Sequence, residues 1–155
     1  MPITDLLERN AREFPFDISL VEINPEQIEI KTRNNWKEYE LIESSSHSGR
    51  KSMTWKQFDD KANKFANLLL TRGVKKGDKI AILMMNGLEW LPVYFGILKS
   101  GALAVPLNFR YTADEIKYCL KKADCSGLVF GSDFVGRRES ICDAIPKVHT
   151  LLYVG

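Results

Sequence analysis

The run from Leu98 to Ile116, LKSGALAVPLNFRYTADEI, constrains the fold more than any other part of this chain. Lys99, Ser100 and Gly101 spell a helix C-terminus: a cation in the last turn, then a residue that tolerates positive φ. Ala102 to Val105 is a short apolar run of the kind buried on both faces of a parallel sheet. Pro106 lacks the N–H a ladder needs, so it belongs at the strand's end. Thr112 with Glu115 three residues on is a capping box that opens the next helix. Helix, strand, loop and helix in so short a space require a βα repeat.

The same alternation runs through the second half. Thr54 and Gln57 form another capping box, followed by one apolar stripe of Trp55, Phe58, Ala62, Phe65, Ala66 and Leu69 that Gly73 ends. Lys79 to Met84 reads as a buried strand, and the helix after it turns Leu91, Tyr94, Phe95 and Leu98 inward. The helix after Thr112 carries Ile116, Cys119, Leu120 and Ala123. Ser126 to Phe130 is the next strand. Ser132 caps a weaker helix with Phe134, Ile141 and Ile145, interrupted by Gly136, and Thr150 to Val154 is the last strand. Strands and helices alternating at this spacing imply right-handed crossovers and a parallel sheet with helices on its faces.

The first half is less regular. Ile3, Leu6, Leu7, Ala11 and Phe14 recur at helical intervals until Pro15 stops them. Glu26 to Thr32 and Trp36 to Leu41 alternate polar and apolar around Arg33-Asn34-Asn35 and read as a β-hairpin. Residues 43–52 are small and polar and read as a linker. The fold expected is therefore α/β: a partial parallel sheet with helices on its faces, preceded by a helix and a β-hairpin. Residues 1–52 form the irregular part and 53–155 the βα repeats.

Three segments carry a family resemblance. The 98–116 run resembles L-K-A-G-A-x-x-V-P-L-N-x-R-x-T-x-x-E of the AMP-forming acyl-CoA synthetases, with Ser100 in place of the usual alanine. Met53 to Phe58 (MTWKQF) resembles the family's T-Y-x-E-L, and Gly73 to Ile82 (GVKKGDKIAI) its G-V-x-x-G-D-x-V-A-I. Their order and spacing agree too, and the likeness covers residues 52–130 best. The superfamily is that of the adenylate-forming enzymes, luciferase among them. The resemblance implies a parent protein that uses ATP and magnesium to convert a fatty or other carboxylic acid to an acyl-adenylate. Coenzyme A then displaces AMP to give the thioester.

It also implies that 1–155 is an incomplete N-terminal segment of the AMP-binding large domain. The family's phosphate loop, later motifs and C-terminal domain are not found in these residues, so no catalytic residue is assigned. The chain alone is expected to be inactive and to hold none of these cofactors tightly. Ser44 to Lys51 (SSSHSGRK) imitates a phosphate loop, but it has a single glycine and Ser44 stands where a Walker motif needs one. The alternative reading is a natural short relative acting as a binding or regulatory partner. A third, an unrelated nucleotide-binding domain, lacks a G-x-G-x-x-G after any expected strand.

Asn108, Phe109 and Arg110 fall in the loop beyond the carboxyl end of a parallel strand, where open α/β folds bind ligands. In the family this neighbourhood approaches the pantetheine tunnel, making Arg110 a candidate contact for coenzyme A. The competing reading leaves Arg110 in solvent or paired with Asp114. Gly77-Asp78 reads as a turn, Asp124 and Asp133 as element ends, and Trp55 and Trp90 as packing residues.

The remaining counts exclude partners. A net charge of +2, with Lys and Arg dispersed among Asp and Glu, argues against nucleic acid. Three cysteines without C-x-x-C spacing, and two histidines a hundred residues apart, support neither a disulfide framework nor a metal site. Cys119, in an apolar stripe, reads as a small core residue. No stretch is long and apolar enough to be a transmembrane segment, and the acidic first twenty residues do not read as a secretory signal. The expected setting is cytoplasmic. A partial sheet would expose unpaired strand backbone, so self-association through that edge is expected.

Overall fold

The computed structural model describes residues 2–23 and 50–155. The expected hairpin within 26–41 and most of the 43–52 linker lie outside the described residues.

Helix α1 (Ile3–Glu13) leads through a turn into strand β1 (Ile18–Ile23), which pairs antiparallel with β2 (Arg50–Thr54). Neither strand was expected. Residues 50–52, read as linker, are ladder residues: Arg50 pairs with Ile23, Lys51 with Glu22 and Ser52 with Val21. The register shifts between Ile18 and Leu20, which breaks the alternation that would mark β1.

Thr54 ends β2 and opens α2 (Trp55–Thr71) with both bonds of its capping box: Gln57 N–H donates to Thr54 Oγ1 at 3.3 Å, and Thr54 N–H to Gln57 Oε1 at 2.9 Å. Then come β3 (Lys79–Leu83), α3 (Trp90–Lys99), β4 (Leu103–Pro106), α4 (Ala113–Ala123) and β5 (Gly127–Gly131). A 3-10 turn (Ser132–Phe134), α5 (Val135–Glu139) and a second 3-10 turn (Cys142–Ala144) lead to β6 (Thr150–Val154). Ahead of β3, Asp78 makes the expected turn, its carboxylate accepting from Lys75 N–H at 2.8 Å.

The four strands β3 to β6 are parallel in the order β4-β3-β5-β6. The chain leaves β3 toward one side for β4, then returns past it to β5 and β6. Right-handed crossovers in opposite directions must lie on opposite faces. Accordingly, α3 packs with α2 over Ile80, Ile82, Val129 and Leu152. Helices α4 and α5 cover Ala81, Leu83, Leu128 and Phe130 on the other face, with Ile116, Leu120, Phe134 and Ile145 filling the gap.

Three expectations about this core are corrected. Helix α3 buries Pro92, Val93, Gly96 and Ile97, whereas Leu91, Tyr94, Phe95 and Leu98 are half-buried. It is apolar on all sides because α2 covers its back, and such a helix gives no stripe to read. Strand β4 pairs only with β3 among the described strands, so Leu103 is exposed and not buried on both faces. Finally, Ser132 makes no cap, and the helix expected there is three short pieces. Cys119 sits half-buried at the margin, and Cys125 is the cysteine inside the core. Trp55 and Trp90 are packing residues, Trp90 stacked on Tyr94.

Candidate functional site

Reversal of the chain between β3 and β5 leaves a switch point where the connections that follow these two paired strands part to opposite faces, the place where open α/β sheets accept ligands. Three loops surround it: 84–89 after β3, 107–112 after β4, and 131–134 after β5.

The first is tied down from the β1–β2 ribbon. Glu22 Oε2 accepts Leu88 N–H at 2.8 Å, fixing the turn into α3. Beside it lies a hollow of about 390 Å³ lined by Leu20, Glu22, Asn86, Leu88, Trp90 and Leu91 among others.

The second contains the three residues singled out by sequence. Leu107 N–H donates to Ile82 O at 2.9 Å, carrying the ladder one residue past Pro106. Asn108 then folds the chain over itself: its Oδ1 accepts Arg110 N–H at 2.9 Å and its main-chain carbonyl accepts Tyr111 N–H at 3.0 Å. Phe109 is left 38% exposed, and the guanidinium of Arg110 stands 5.4 Å from the centre of its ring. The loop ends in the Thr112 capping box, where Glu115 Oε2 accepts Thr112 N–H at 2.8 Å. That backbone bond, with one from the Thr112 hydroxyl, holds the Glu115 carboxyl below its ordinary range.

Arg110 is exposed. It does not pair with Asp114, whose carboxylate binds Lys117 at 2.5 Å and titrates low for that reason. A delocalised cation beside an exposed aromatic ring suits a ligand that is both phosphorylated and partly apolar.

Two residues at this edge escaped the sequence reading. One is Glu22, hidden in an unrecognised strand. The other is Arg137 of α5, whose Nη1 donates to Phe109 O at 2.7 Å and to Tyr111 O at 3.1 Å. Its acceptors are main-chain carbonyls nearly thirty residues back, so no local pattern could have revealed it. Asn108, Phe109 and Arg110 do come together in one loop. Among the described residues no group of three His, Cys, Asp or Glu side chains is placed to hold a metal ion. Nor is any described helix long and apolar enough to cross a membrane.

Topology and helical layers define a doubly wound α/β arrangement, with the three loops at its carboxyl edge. The AMP-binding enzyme family matches residues 31–153, and the chain belongs to that family. A medium/long-chain-fatty-acid–CoA/3-oxocholest-4-en-26-oate–CoA ligase of Mycolicibacterium smegmatis is 36% identical over 107 residues, covering 69% of this chain and 19% of its own length. The long-chain-fatty-acid–CoA ligase FadD13 of Mycobacterium tuberculosis is 36% identical over 80 residues, 52% of this chain and 16% of its own. Among solved structures, the anthranilate CoA ligase AuaEII in complex with anthranoyl-AMP superposes on all of this chain and 26% of its own, with a TM-score of 0.77 and 25% identity. This chain therefore spans about a fifth of the length of the curated relatives it matches. The expected family and α/β fold hold, and the relatives named here are acyl-CoA ligases.

Proposed function

We propose that this chain forms the first part of the large domain of an AMP-forming acyl-CoA ligase that activates a fatty acid. The match to fatty-acid–CoA ligases across the βα repeats carries this reading. In the proposed reaction a carboxylate oxygen attacks the α-phosphorus of ATP and pyrophosphate leaves. The thiol of coenzyme A then attacks the acyl carbonyl and AMP leaves. Residues 1–155 supply scaffold and one wall. The three loops at the carboxyl edge face the ligand, and Arg110 with Phe109 receives the phosphorylated, partly apolar coenzyme. The described residues do not fit a magnesium site, and none is assigned to them.

Pyrophosphate exchange tests the reading. The 155-residue chain with ATP, magnesium and a fatty acid exchanges no labelled pyrophosphate, whereas the protein made from the complete reading frame does so in an acid-dependent manner. Exchange by the 155-residue chain would refute its assignment as scaffold. Absence of exchange from the complete frame, over a panel of acids, would refute the ligase reading and favour a non-catalytic binding partner. The reading places the protein in the cytoplasm. It also makes the 155-residue chain self-associate along β4 or β6, which a concentration-independent monomer in sedimentation would contradict.

A further inference from the structure

We propose that Arg137 is a positioning residue for the 107–112 loop, acting on ligand binding through Arg110. This rests on the assignment of Arg110 to the coenzyme given above.

The geometry is unusual in where the guanidinium is spent. Arg137 is an exposed residue in the middle of a five-residue helix. It could have stayed in solvent or met a carboxylate; instead one nitrogen donates to the two carbonyls that flank Arg110 in sequence. Its origin is firm. The guanidinium lies 5.4 Å from the ring centre of Phe134, and Phe134 is buried in the core beneath α4 and α5. From that base Arg137 reaches from the connection after β5 to the loop after β4. Those strands flank β3 on either side, so the contact joins the segments that follow both neighbours of β3.

The consequence falls on Arg110. Its own N–H is held by Asn108 Oδ1, and the carbonyls of its two neighbours, Phe109 and Tyr111, are held by Arg137. The backbone at Arg110 is thus fixed from both sides, while its side chain, among the described residues, meets only the ring of Phe109. A cation on a fixed backbone loses less freedom when it binds an anion than one on a free loop. Arg137 also raises the local positive potential beside the loop.

A double-mutant cycle on the protein from the complete reading frame tests this. Arg137→Ala raises KM for coenzyme A about tenfold, the loss of roughly one charge-assisted hydrogen bond. Arg110→Ala raises that KM by a similar factor. The double variant is hardly worse than either single one, because one residue acts through the other. Arg137→Lys, which keeps a cation able to reach the carbonyls, recovers part of the loss. Limited trypsin digestion gives the second readout: Arg137→Ala hastens cleavage after Arg110. Fully additive effects on KM, or unaltered cleavage after Arg110, would overturn the proposal. If Arg110→Ala leaves KM unchanged while cleavage still responds to Arg137, the coenzyme assignment fails and the brace stands.

Discussion

The two faces of the parallel sheet solve the same covering problem by opposite means. On one face α2 and α3 are long and regular, and they cross so closely that a Cβ on Gly96 would stand 2.8 Å from Ala62 O. A nearly buried cation, Lys99, pins their ends: it binds Asp59 of α2 and Glu8 of α1, each at 2.8 Å. On the other face only α4 is a full helix, and the segment after β5 is three short pieces held by Phe134, Ile141 and Ile145. The first face spends its residues on rigidity. The second keeps short elements, and from them the exposed Arg137 reaches a carboxyl-edge loop.

The largest expected effect tests the close crossing. Gly96→Val forces backbone apart and lowers unfolding free energy by about 3 kcal/mol in denaturant titration, at the upper end for overpacking. Loss below about 1 kcal/mol would mean that the α2–α3 crossing yields and the stiff face is not stiff.

Lys99 comes next. Its side chain is 7% exposed and Asp59 17%, so Lys99→Met strands a largely buried carboxylate and costs about 1–3 kcal/mol. Burial pulls the Lys99 pKa down, but the hydrogen bonds and charges of Asp59 and Glu8 outweigh it and leave it above the usual 10.5. Its contribution is therefore complete below 10.5 and lost only as pH climbs through the higher folded value. A stability gap between parent and Lys99→Met that widens, and does not narrow, as pH rises past 10.5 would contradict that sign.

The helix caps should erase the difference between faces. Thr54→Ala on α2 and Thr112→Ala on α4 each remove a complete capping box and cost about 1 kcal/mol. Unequal losses would show that one face depends on local helix signals more than the other. Only the α4 box is sensitive to acid. With the Glu115 carboxyl held below its ordinary 4.5, its share of stability is present above that value and fades as pH falls through the lowered one. Glu115→Gln flattens this part of the acid limb in pH-dependent unfolding.

The smallest effect is chemical. Burial pushes the Cys125 thiol to about 11, against a smaller opposing pull from Lys79, so it is almost wholly protonated near neutrality. Iodoacetamide followed by peptide mapping should modify exposed Cys142 first, half-buried Cys119 later, and Cys125 only on unfolding. Early labelling of Cys125 would show that the α4–α5 face opens far more readily than its packing implies.

Sequence patterns were legible wherever one physical signal acted alone. Both capping boxes form as read, and β6 runs over the expected residues, because a hydroxyl with an acid or amide three positions on, and an isolated apolar run, have few competing uses. They failed where two surfaces were apolar at once. Ile18, Val21 and Ile23 of β1 are exposed apolar residues, so the strand shows no alternation, and β2 begins with the polar Arg50, Lys51 and Ser52. The candidate loop was found from a strand's end and a family pattern. Its brace was not, since hydrogen bonds to carbonyls leave no trace in residue type.

The middle position of β3 has a consequence for how this sheet is made. It is the earliest of the four parallel strands to leave the ribosome, yet both of its neighbours are encoded after it. Until Pro106 emerges, the nascent chain holds an apolar strand with neither flank zipped, shielded only by α2 and α3 on a single side. The tightly locked helical pair is thus the one shelter β3 has during synthesis, and any variant that loosens that pair exposes the newborn strand at its stickiest moment.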